Sequence, residues 1–192
     1  MRQIALISLG SNQLSFWGSP LQTVQAAIDR IGAIAGGEIE VSRFFKTPAF
    51  PKGNGPDFVN AAVAMTTDLG PHALLDALHA IEAEAGRERV KRWGQRTLDL
   101  DLLTLGHAVL PDERTYLTWR DLPFSQQTEV APDQLILPHP RLQDRGFVLV
   151  PLCDIAPDWR HPVFGRTAQS LLDALPDADK ADVVPIDPEK GA

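Results

Sequence analysis

Apolar and polar positions along the first 105 residues follow two periods, one typical of strands and one typical of helices. Residues 4–9 form a continuous apolar run that ends in Gly-Ser-Asn, which predicts a buried strand followed by a turn. Ser19 and Pro20 have the residue types of a helix N-cap and a first helical position. Apolar residues then recur at helical spacing, at Leu21, Val24, Ile28, Ile31 and Ile34. This segment is therefore predicted to be a helix.

The same periods continue through the next sixty residues. Residues 38–45 alternate well enough to be a strand, and residues 58–67 are predicted to be another. The prolines and glycines of residues 46–57 predict a loop between them. Residues 71–85 have a helical apolar face, and residues 97–105 (TLDLDLLTL) alternate strictly as a strand does. The predicted order is therefore β-α-β-β-α-β. This order is typical of the α+β ferredoxin-like fold, an antiparallel sheet with helices on one face.

The second half of the chain has weaker patterns. Residues 106–137 mix prolines, charges and aromatics without a clear period, and residues 147–157 are apolar between prolines. Residues 167–175 are predicted to be a short helix capped by a threonine. The proline- and charge-rich residues 176–192 predict a loosely ordered tail. We therefore expect one domain over residues 1–175, followed by a C-terminal extension.

Charge and composition narrow the possible partners. The formal net charge of −7 and the pI of about 5.1 do not favour sequence-independent binding to nucleic acid. The N-terminal apolar run is too short for a signal-peptide core or a membrane span, so no membrane partner and a cytoplasmic location are expected. A single cysteine, Cys153, excludes an intramolecular disulfide and is expected in the core.

Two aspartates lie at alternate positions of the strand at residues 97–105. Side chains alternate between the faces of a strand, so Asp99 and Asp101 share a face opposite the leucines, with Cα atoms about 6.5–7 Å apart. Two neighbouring carboxylates repel each other unless a positive group neutralises them. A Mg²⁺ ion suits such a pair, since it takes one or two carboxylates with water and phosphate oxygens. An acidic strand that only faces solvent is the alternative.

A basic stretch, RERVKRWGQR, precedes these aspartates at residues 87–96. Arginine guanidinium groups suit the oxygens of phosphates, and with metal-binding carboxylates they favour a polyphosphate bridged by Mg²⁺. A solvated charged loop is the alternative. The chain has neither G-x-x-x-x-G-K-[ST] nor G-x-G-x-x-G, so a nucleotide would depend on arginines and metal.

Two other stretches have the composition of binding sites. Residues 47–63 join a proline-containing loop to a strand with Phe58 and Asn60 on one face. Residues 137–147 place His139 between two prolines and near two arginines. A turn with a core phenylalanine and a structural histidine are the alternatives.

Six segments together resemble the 6-hydroxymethyl-7,8-dihydropterin pyrophosphokinase family. They are LGSN (9–12), TPAF (47–50), PDFVNAAV (56–63), GRERVKRWGQRTLDLDLL (86–103), LPHPRLQDRGFVLVPL (137–152) and DIAP (154–157). The resemblance implies a folate-biosynthesis enzyme that transfers diphosphate from ATP to the hydroxymethyl group of 6-hydroxymethyl-7,8-dihydropterin and releases AMP. It also implies two Mg²⁺ ions.

The resemblance also implies roles for individual residues. Asp99 and Asp101 would be metal ligands. The arginines expected to act on phosphates in catalysis are Arg87, Arg89, Arg92 and Arg96. The residues expected to bind ATP are Glu82, Arg87, Trp93, Arg96, His139 and Arg145. The residues expected to bind the pterin are Thr47, Ala49, Phe58, Asn60 and Phe147, with the two phenylalanines on its faces.

The chain departs from the family pattern in three places. Phe58 stands where several members have tyrosine, and Ala49 where a second proline is common. Residues 111–133 form an insert where the family has a shorter connection, and residues 134–136 lack the usual arginine and threonine. We hypothesise that the insert packs beside the site or contacts a partner.

The residues alone leave other functions open. One is a paralogue that acts on a different hydroxymethyl pterin. Another is a non-catalytic pterin or nucleotide binder. A third is a metal-dependent nuclease or glycosyltransferase that uses the aspartate pair.

Overall fold

The computed structural model describes residues 2–49, 53, 55–87, 97–123, 126 and 130–187. Its strands are β1 (Gln3–Ser11), β2 (Ile39–Val41), β3 (Phe44–Thr47), β4 (Phe58–Thr67), β5 (Asp99–Leu105) and β6 (Val184–Ile186). Its helices are α1 (Pro20–Ile34), α2 (Pro71–Glu84), α3 (Glu113–Arg120), α4 (Gly146–Ile155), α5 (Ala168–Asp173) and α6 (Asp177–Ala181). Residues Leu142–Asp144 form a turn of 3₁₀ helix.

The described strands form one antiparallel sheet in the order β5-β1-β4-β3-β6, and β2 pairs with β4 beside β3. Since β2 and β3 together take the place of one strand, the first five strands and two helices have the predicted βαββαβ order. The break between β2 and β3 lies at Ser42, whose Oγ accepts a hydrogen bond of 2.8 Å from the Ala62 N–H. The predicted strand at residues 38–45 is therefore two short strands joined by a hydrogen-bonded bend.

The first face of the sheet is covered by α1 and α2. Alternate residues of the central strands point into this core, including Ile7 on β1, Val63 on β4 and Leu100 on β5. The predicted cap of α1 is present, because Ser19 accepts from the Gln22 N–H while the Gln22 side chain accepts from the Ser19 N–H. Helix α1 therefore begins where its capping residue indicates.

The second face is partly covered by α4 and α5. Leu6 of β1 and Leu103 of β5 pack here against Val148 and Leu152 of α4. The sequence predicted helices on one face only, whereas α4 adds a layer on the other. Cys153 lies beside this core, and burial raises the pKa of its thiol to about 11, as expected of a core cysteine.

The C-terminal segment differs from the loosely ordered tail that its composition predicted. Residues 177–181 form α6, and β6 pairs with β3 so that Val184 is opposite Lys46 and Ile186 opposite Phe44. Folded structure therefore continues past the boundary predicted at residue 175. Among the helices of the described residues, none combines the length and apolarity needed to cross a membrane.

Candidate active site

One end of the second sheet face is left uncovered by α4, and polar side chains from three strands meet there. Gly10 of β1 is paired with Asp99 on one side and with Asn60 on the other. Ser8 is paired in the same way with Asp101 and with Ala62. The alternation of β5 that separates Asp99 and Asp101 from Leu98, Leu100 and Leu102 is therefore as predicted, and it brings both carboxylates to the face that carries Asn60.

Gly10 forms the floor between these groups. A Cβ atom at this position would lie 3.2 Å from Asn60 Oδ1 and 3.8 Å from Cδ1 of Phe58. The Phe58 ring is therefore on the same face as Asn60. Strand β1 separates it from Asp99 and Asp101, which are called the aspartate row below. Any larger residue at position 10 would fill the space between the acidic and aromatic parts of the site.

Asp99 belongs to a network of charges at the end of α2. Arg87 Nη1 lies 2.7 Å from Asp99 Oδ1 and also pairs with Glu82 Oε1. Glu82 is buried, and the same Oε1 accepts a hydrogen bond of 2.8 Å from the Leu100 N–H. Burial of a carboxylate is tolerated because both a cation and a backbone donor compensate it. The network fixes the Arg87 guanidinium over the first aspartate.

Asp101 faces a second arginine, which comes from the start of α4. Arg145 Nη1 lies 3.8 Å from Asp101 Oδ2, and the Arg145 guanidinium carbon lies 5.6 Å from the ring centroid of Phe147. Phe147 is 37% exposed, which is high for so large an apolar side chain. The exposed ring is therefore next to a cation that reaches the aspartate row.

His139 is held against β5 in a neutral form. The backbone N–H of His139 donates to the Leu103 carbonyl at 2.8 Å. Its ring Nδ1 accepts a hydrogen bond from the Arg141 backbone N–H at 3.1 Å. Burial and, to a smaller extent, the Arg145 cation lower the pKa of this imidazole to about 3, although Asp99 opposes the shift. Because Nδ1 is an acceptor, the neutral ring carries its proton on Nε2.

The polar wall opposite the aspartates is built from β3 and β4. Asn60 Nδ2 donates a hydrogen bond of 2.8 Å to Thr47 Oγ1, and both residues are buried. Ala49, two residues further along, is also buried. This hydrogen bond fixes the orientation of the Asn60 amide, whose Oδ1 is directed to the Gly10 side.

The donor set at the aspartate row fits Mg²⁺. Asp99 and Asp101 are on one sheet face with side chains 19% and 32% exposed, so solvent reaches both carboxylates. The described residues contain no group of three or more His, Cys, Asp or Glu that could hold a metal ion. Mg²⁺ needs only one or two protein carboxylates when water and phosphate fill its other positions.

The structure thus brings nine of the predicted site residues to one region: Thr47, Phe58, Asn60, Glu82, Arg87, Asp99, Asp101, His139 and Arg145. Ala49 and Phe147 are on its borders. Four further predictions, Arg89, Arg92, Trp93 and Arg96, lie outside the described residues.

Three residues at the end of β1 were not predicted to have a role in the site. They are Gly10, Ser11 and Asn12. Ser11 Oγ donates to the Thr97 carbonyl at 2.5 Å, and Asn12 Nδ2 donates to the Pro56 carbonyl at 3.1 Å. These bonds tie the turn after β1 to the residues that lead into β5 and β4. The signal in the sequence was the Gly-Ser-Asn turn itself, since buried turn residues with short polar side chains commonly bond backbone groups.

The insert at residues 111–133 contributes α3, which packs against the C-terminal half. Tyr116 is fully buried and its hydroxyl lies 3.0 Å from His161 Nε2. The carbonyl of Arg120, at the end of α3, accepts a hydrogen bond of 2.9 Å from Arg141 Nη1. Arg141 follows His139 by two residues, so the insert contacts the segment that carries the histidine.

The fold is of the α+β class, and its site brings acidic, basic and aromatic side chains to one sheet face. A family model described as 7,8-dihydro-6-hydroxymethylpterin-pyrophosphokinase (HPPK) matches residues 6–157. The chain belongs to this family. Among the residues that the family resemblance brought forward, those that the structure describes lie around Asp99 and Asp101 or at the border of that region.

Named relatives support this assignment. A Pseudomonas aeruginosa 2-amino-4-hydroxy-6-hydroxymethyldihydropteridine pyrophosphokinase is 40% identical over 177 residues, which cover 92% of this chain and 94% of the relative. A Synechocystis sp. protein of the same name is 37% identical over 172 residues, covering 89% of this chain and 75% of the relative.

Solved structures support the fold. A Plasmodium falciparum HPPK-DHPS triple mutant with SDX-DHP superposes with a TM-score of 0.62 at 16% identity, over 90% of this chain and 44% of that one. The present chain thus spans less than half the length of that two-part protein. At this identity the likeness concerns the fold alone.

Proposed function

We propose that this chain is a 6-hydroxymethyl-7,8-dihydropterin pyrophosphokinase that uses Mg-ATP in folate biosynthesis. The observation that carries the proposal is the aspartate row, in which Asp99 and Asp101 each face an arginine on a sheet face shared with Asn60 and Phe58. A polyphosphate needs cations, and a flat heterocycle needs an aromatic face with an amide at its edge. Because the chain belongs to the family, we propose that the polyphosphate and the heterocycle are the two substrates of one reaction.

On the nucleotide side, Arg87 and Arg145 supply the positive charge for the phosphates. Both guanidinium groups already lie at carboxylates of the row, so a phosphate oxygen arriving there meets oriented donors. Glu82 holds Arg87 in place, and His139 offers the N–H of a neutral imidazole. Arg89, Arg92, Trp93 and Arg96 complete the nucleotide side of the proposal through the resemblance of their motif.

On the pterin side, Phe58 and Phe147 provide the aromatic faces. Asn60 presents an amide whose rotation is restricted by its bond to Thr47, so the directions of its Oδ1 acceptor and of its second Nδ2 hydrogen are fixed. Thr47 and Ala49 offer backbone groups at the same edge. Gly10 leaves open the floor across which the hydroxymethyl group would reach the phosphates.

In the proposed reaction, the hydroxymethyl oxygen of the pterin attacks the β-phosphorus of ATP. A bond forms between this oxygen and the β-phosphorus, and the bond from the β-phosphorus to the oxygen shared with the α-phosphorus breaks. AMP leaves with that oxygen, and the hydroxyl proton is released. The chain lowers the barrier by holding the two substrates in line and by placing arginine charge where the phosphates gain negative charge.

Asp99 and Asp101 are the residues that would hold Mg²⁺, with two ions in all as the family resemblance implies. When bound, Mg²⁺ neutralises the polyphosphate and orients it for displacement. The carboxylates would exchange part of their pairing with Arg87 and Arg145 for the metal, which frees the guanidinium groups for phosphate oxygens.

The test is an end-point reaction of the pure chain with Mg-ATP and 6-hydroxymethyl-7,8-dihydropterin, read by mass spectrometry. AMP and pterin diphosphate in equal amounts are expected. ADP with a pterin monophosphate would replace the proposal by ordinary kinase chemistry. Bound pterin without any product would replace it by a binder or by an enzyme for another hydroxymethyl pterin, which pterin analogues would then identify.

A further inference from the structure

The C-terminal segment from Asp177 to Ile186, called the C-terminal strap below, contacts the elements that form both walls of the proposed pterin site. These are the aromatic wall at Phe147 and the polar wall at Thr47 and Asn60. The strap's helix α6 packs against α4, which carries Phe147, and its strand β6 pairs with β3, which ends at Thr47. We infer that the strap is a positioning element that sets the place of Phe147 and thereby the affinity for the pterin. This inference rests on the proposed function.

The contact between the strap and α4 is made at a glycine. A Cβ atom at Gly146 would lie 2.3 Å from the carbonyl oxygen of Asp179 and 3.6 Å from Val183 Cγ2. Real Cβ atoms essentially never come within 3.0 Å of another heavy atom, so the strap backbone fills the space of a side chain. Because Gly146 directly precedes Phe147, this contact fixes the backbone from which the ring extends.

The other end of the strap is fixed to the opposite wall. Val184 is paired with Lys46, the neighbour of Thr47, and Val183 beside it is buried. Thr47 in turn orients Asn60. The strap therefore contacts the backbone of both walls, in addition to the direct packing of α4 on β3 and β4.

The far end of α4 has its own anchor. Asp154 accepts two hydrogen bonds from the Arg43 side chain, 2.9 Å from Nε and 2.7 Å from Nη2. Asp154 lies seven residues, about 10 Å of helix, beyond Phe147. Loosening this anchor should affect stability without moving the ring, so it supplies a matched control.

The experiment compares full-length variants by steady-state kinetics and by direct pterin binding without ATP. Gly146→Ala is expected to raise both KM and Kd for the pterin at least tenfold, with KM for ATP and kcat within threefold. Val183→Ala, which leaves room under Gly146, is expected to raise KM for the pterin about threefold. Combined with Val183→Ala, the effect of Gly146→Ala should shrink, because the strap can then move aside.

Arg43→Ala is the control, expected to lower the melting temperature while KM for the pterin stays within twofold. If Gly146→Ala does not fold, the role of the strap is tested by comparing the pterin affinity of Val183→Ala with that of Arg43→Ala. Pterin affinity that is unchanged in Val183→Ala, or that falls equally in Arg43→Ala, would overturn the role of the strap. A wild-type chain that makes no pterin diphosphate would overturn the proposed function instead.

Discussion

At the scale of single residues, Asp101 carries the clearest prediction. Replacing it by alanine removes one of two carboxylates on the open sheet face, while Asn60 and Phe58 are on other strands. We expect turnover to fall by at least about 100-fold, the cost typical of losing a key electrostatic group. Pterin affinity, measured by calorimetry without metal, should stay within about twofold.

The exposed Asp29 on α1 offers the matched control for this change. Asp29→Ala removes the same charge far from the aspartate row and should leave turnover unchanged. Mg²⁺-dependent activity of Asp101→Ala equal to that of the wild type would remove the aspartate pair from the mechanism.

Gly10 carries a second prediction. In Gly10→Ala the new methyl group would lie 3.2 Å from Asn60 Oδ1, so the amide must shift or the strand must bend. We expect KM for the pterin to rise about fivefold or more, since the amide and the floor of the site change together. Gly32→Ala is the control, because its Cβ would meet only Ile39 Cδ1 at 3.6 Å. Equal KM values for the pterin in both variants would contradict the role of Gly10 as the floor of the site.

Sequence reasoning found the charged and aromatic residues of the site but not this glycine. Asp99, Asp101 and Asn60 carry functional groups, and strand alternation places them on a face. The role of Gly10 depends on neighbours from two other strands, which only the pairing register reveals. A residue that acts by lacking a side chain leaves no chemical signal of its own.

At the scale of elements, α3 makes the insert a packed part of the molecule. Tyr116→Phe keeps the ring but removes the hydroxyl bonded to His161 Nε2. We expect the free energy of unfolding to fall by about 1 kcal/mol, the usual net value of one hydrogen bond. Urea unfolding followed by fluorescence would measure it. No loss of stability would mean that the buried pair contributes nothing to the docking of α3.

Helix α4 shows why the second half of the chain was harder to predict than the first. Helices α1 and α2 have one apolar face and one polar face, and their spacing appears directly in the sequence. In α4, Val148, Leu149 and Leu152 are buried and Pro151 is inside the helix, so the apolar run has no periodic gap. A helix that is apolar on most sides cannot be told from a buried strand by period alone.

At the scale of the whole molecule, buried histidines predict a loss of stability in acid. Burial lowers the pKa of His161 to about 4, below the value of about 6.5 for an exposed histidine. Between these values the unfolded chain binds a proton that the folded chain does not. The free energy of unfolding should therefore fall as the pH drops from about 6.5 to about 4, by up to about 3 kcal/mol from this residue.

The check is urea unfolding across this pH range. In His161→Gln, residue 161 has no titratable group. Its free energy of unfolding should therefore decline less steeply with falling pH than that of the wild type, even if its stability at neutral pH is lower. His72→Gln, which changes an exposed histidine on α2, should keep the full decline. Parallel declines in all three proteins would assign the acid sensitivity to other groups.

The sheet order has a consequence for synthesis of the chain. The first strand, β1, is central, because it pairs on one side with β4 and on the other with β5, which ends at Leu105. At about 5–20 residues per second, roughly 5–20 s separate the emergence of β1 from that of its second partner. Both edges of this apolar strand are unpaired until β4 emerges, and the edge that pairs with β5 stays unpaired for the whole of that time. Chaperone dependence of this protein should therefore concentrate in the interval between synthesis of β1 and synthesis of Leu105.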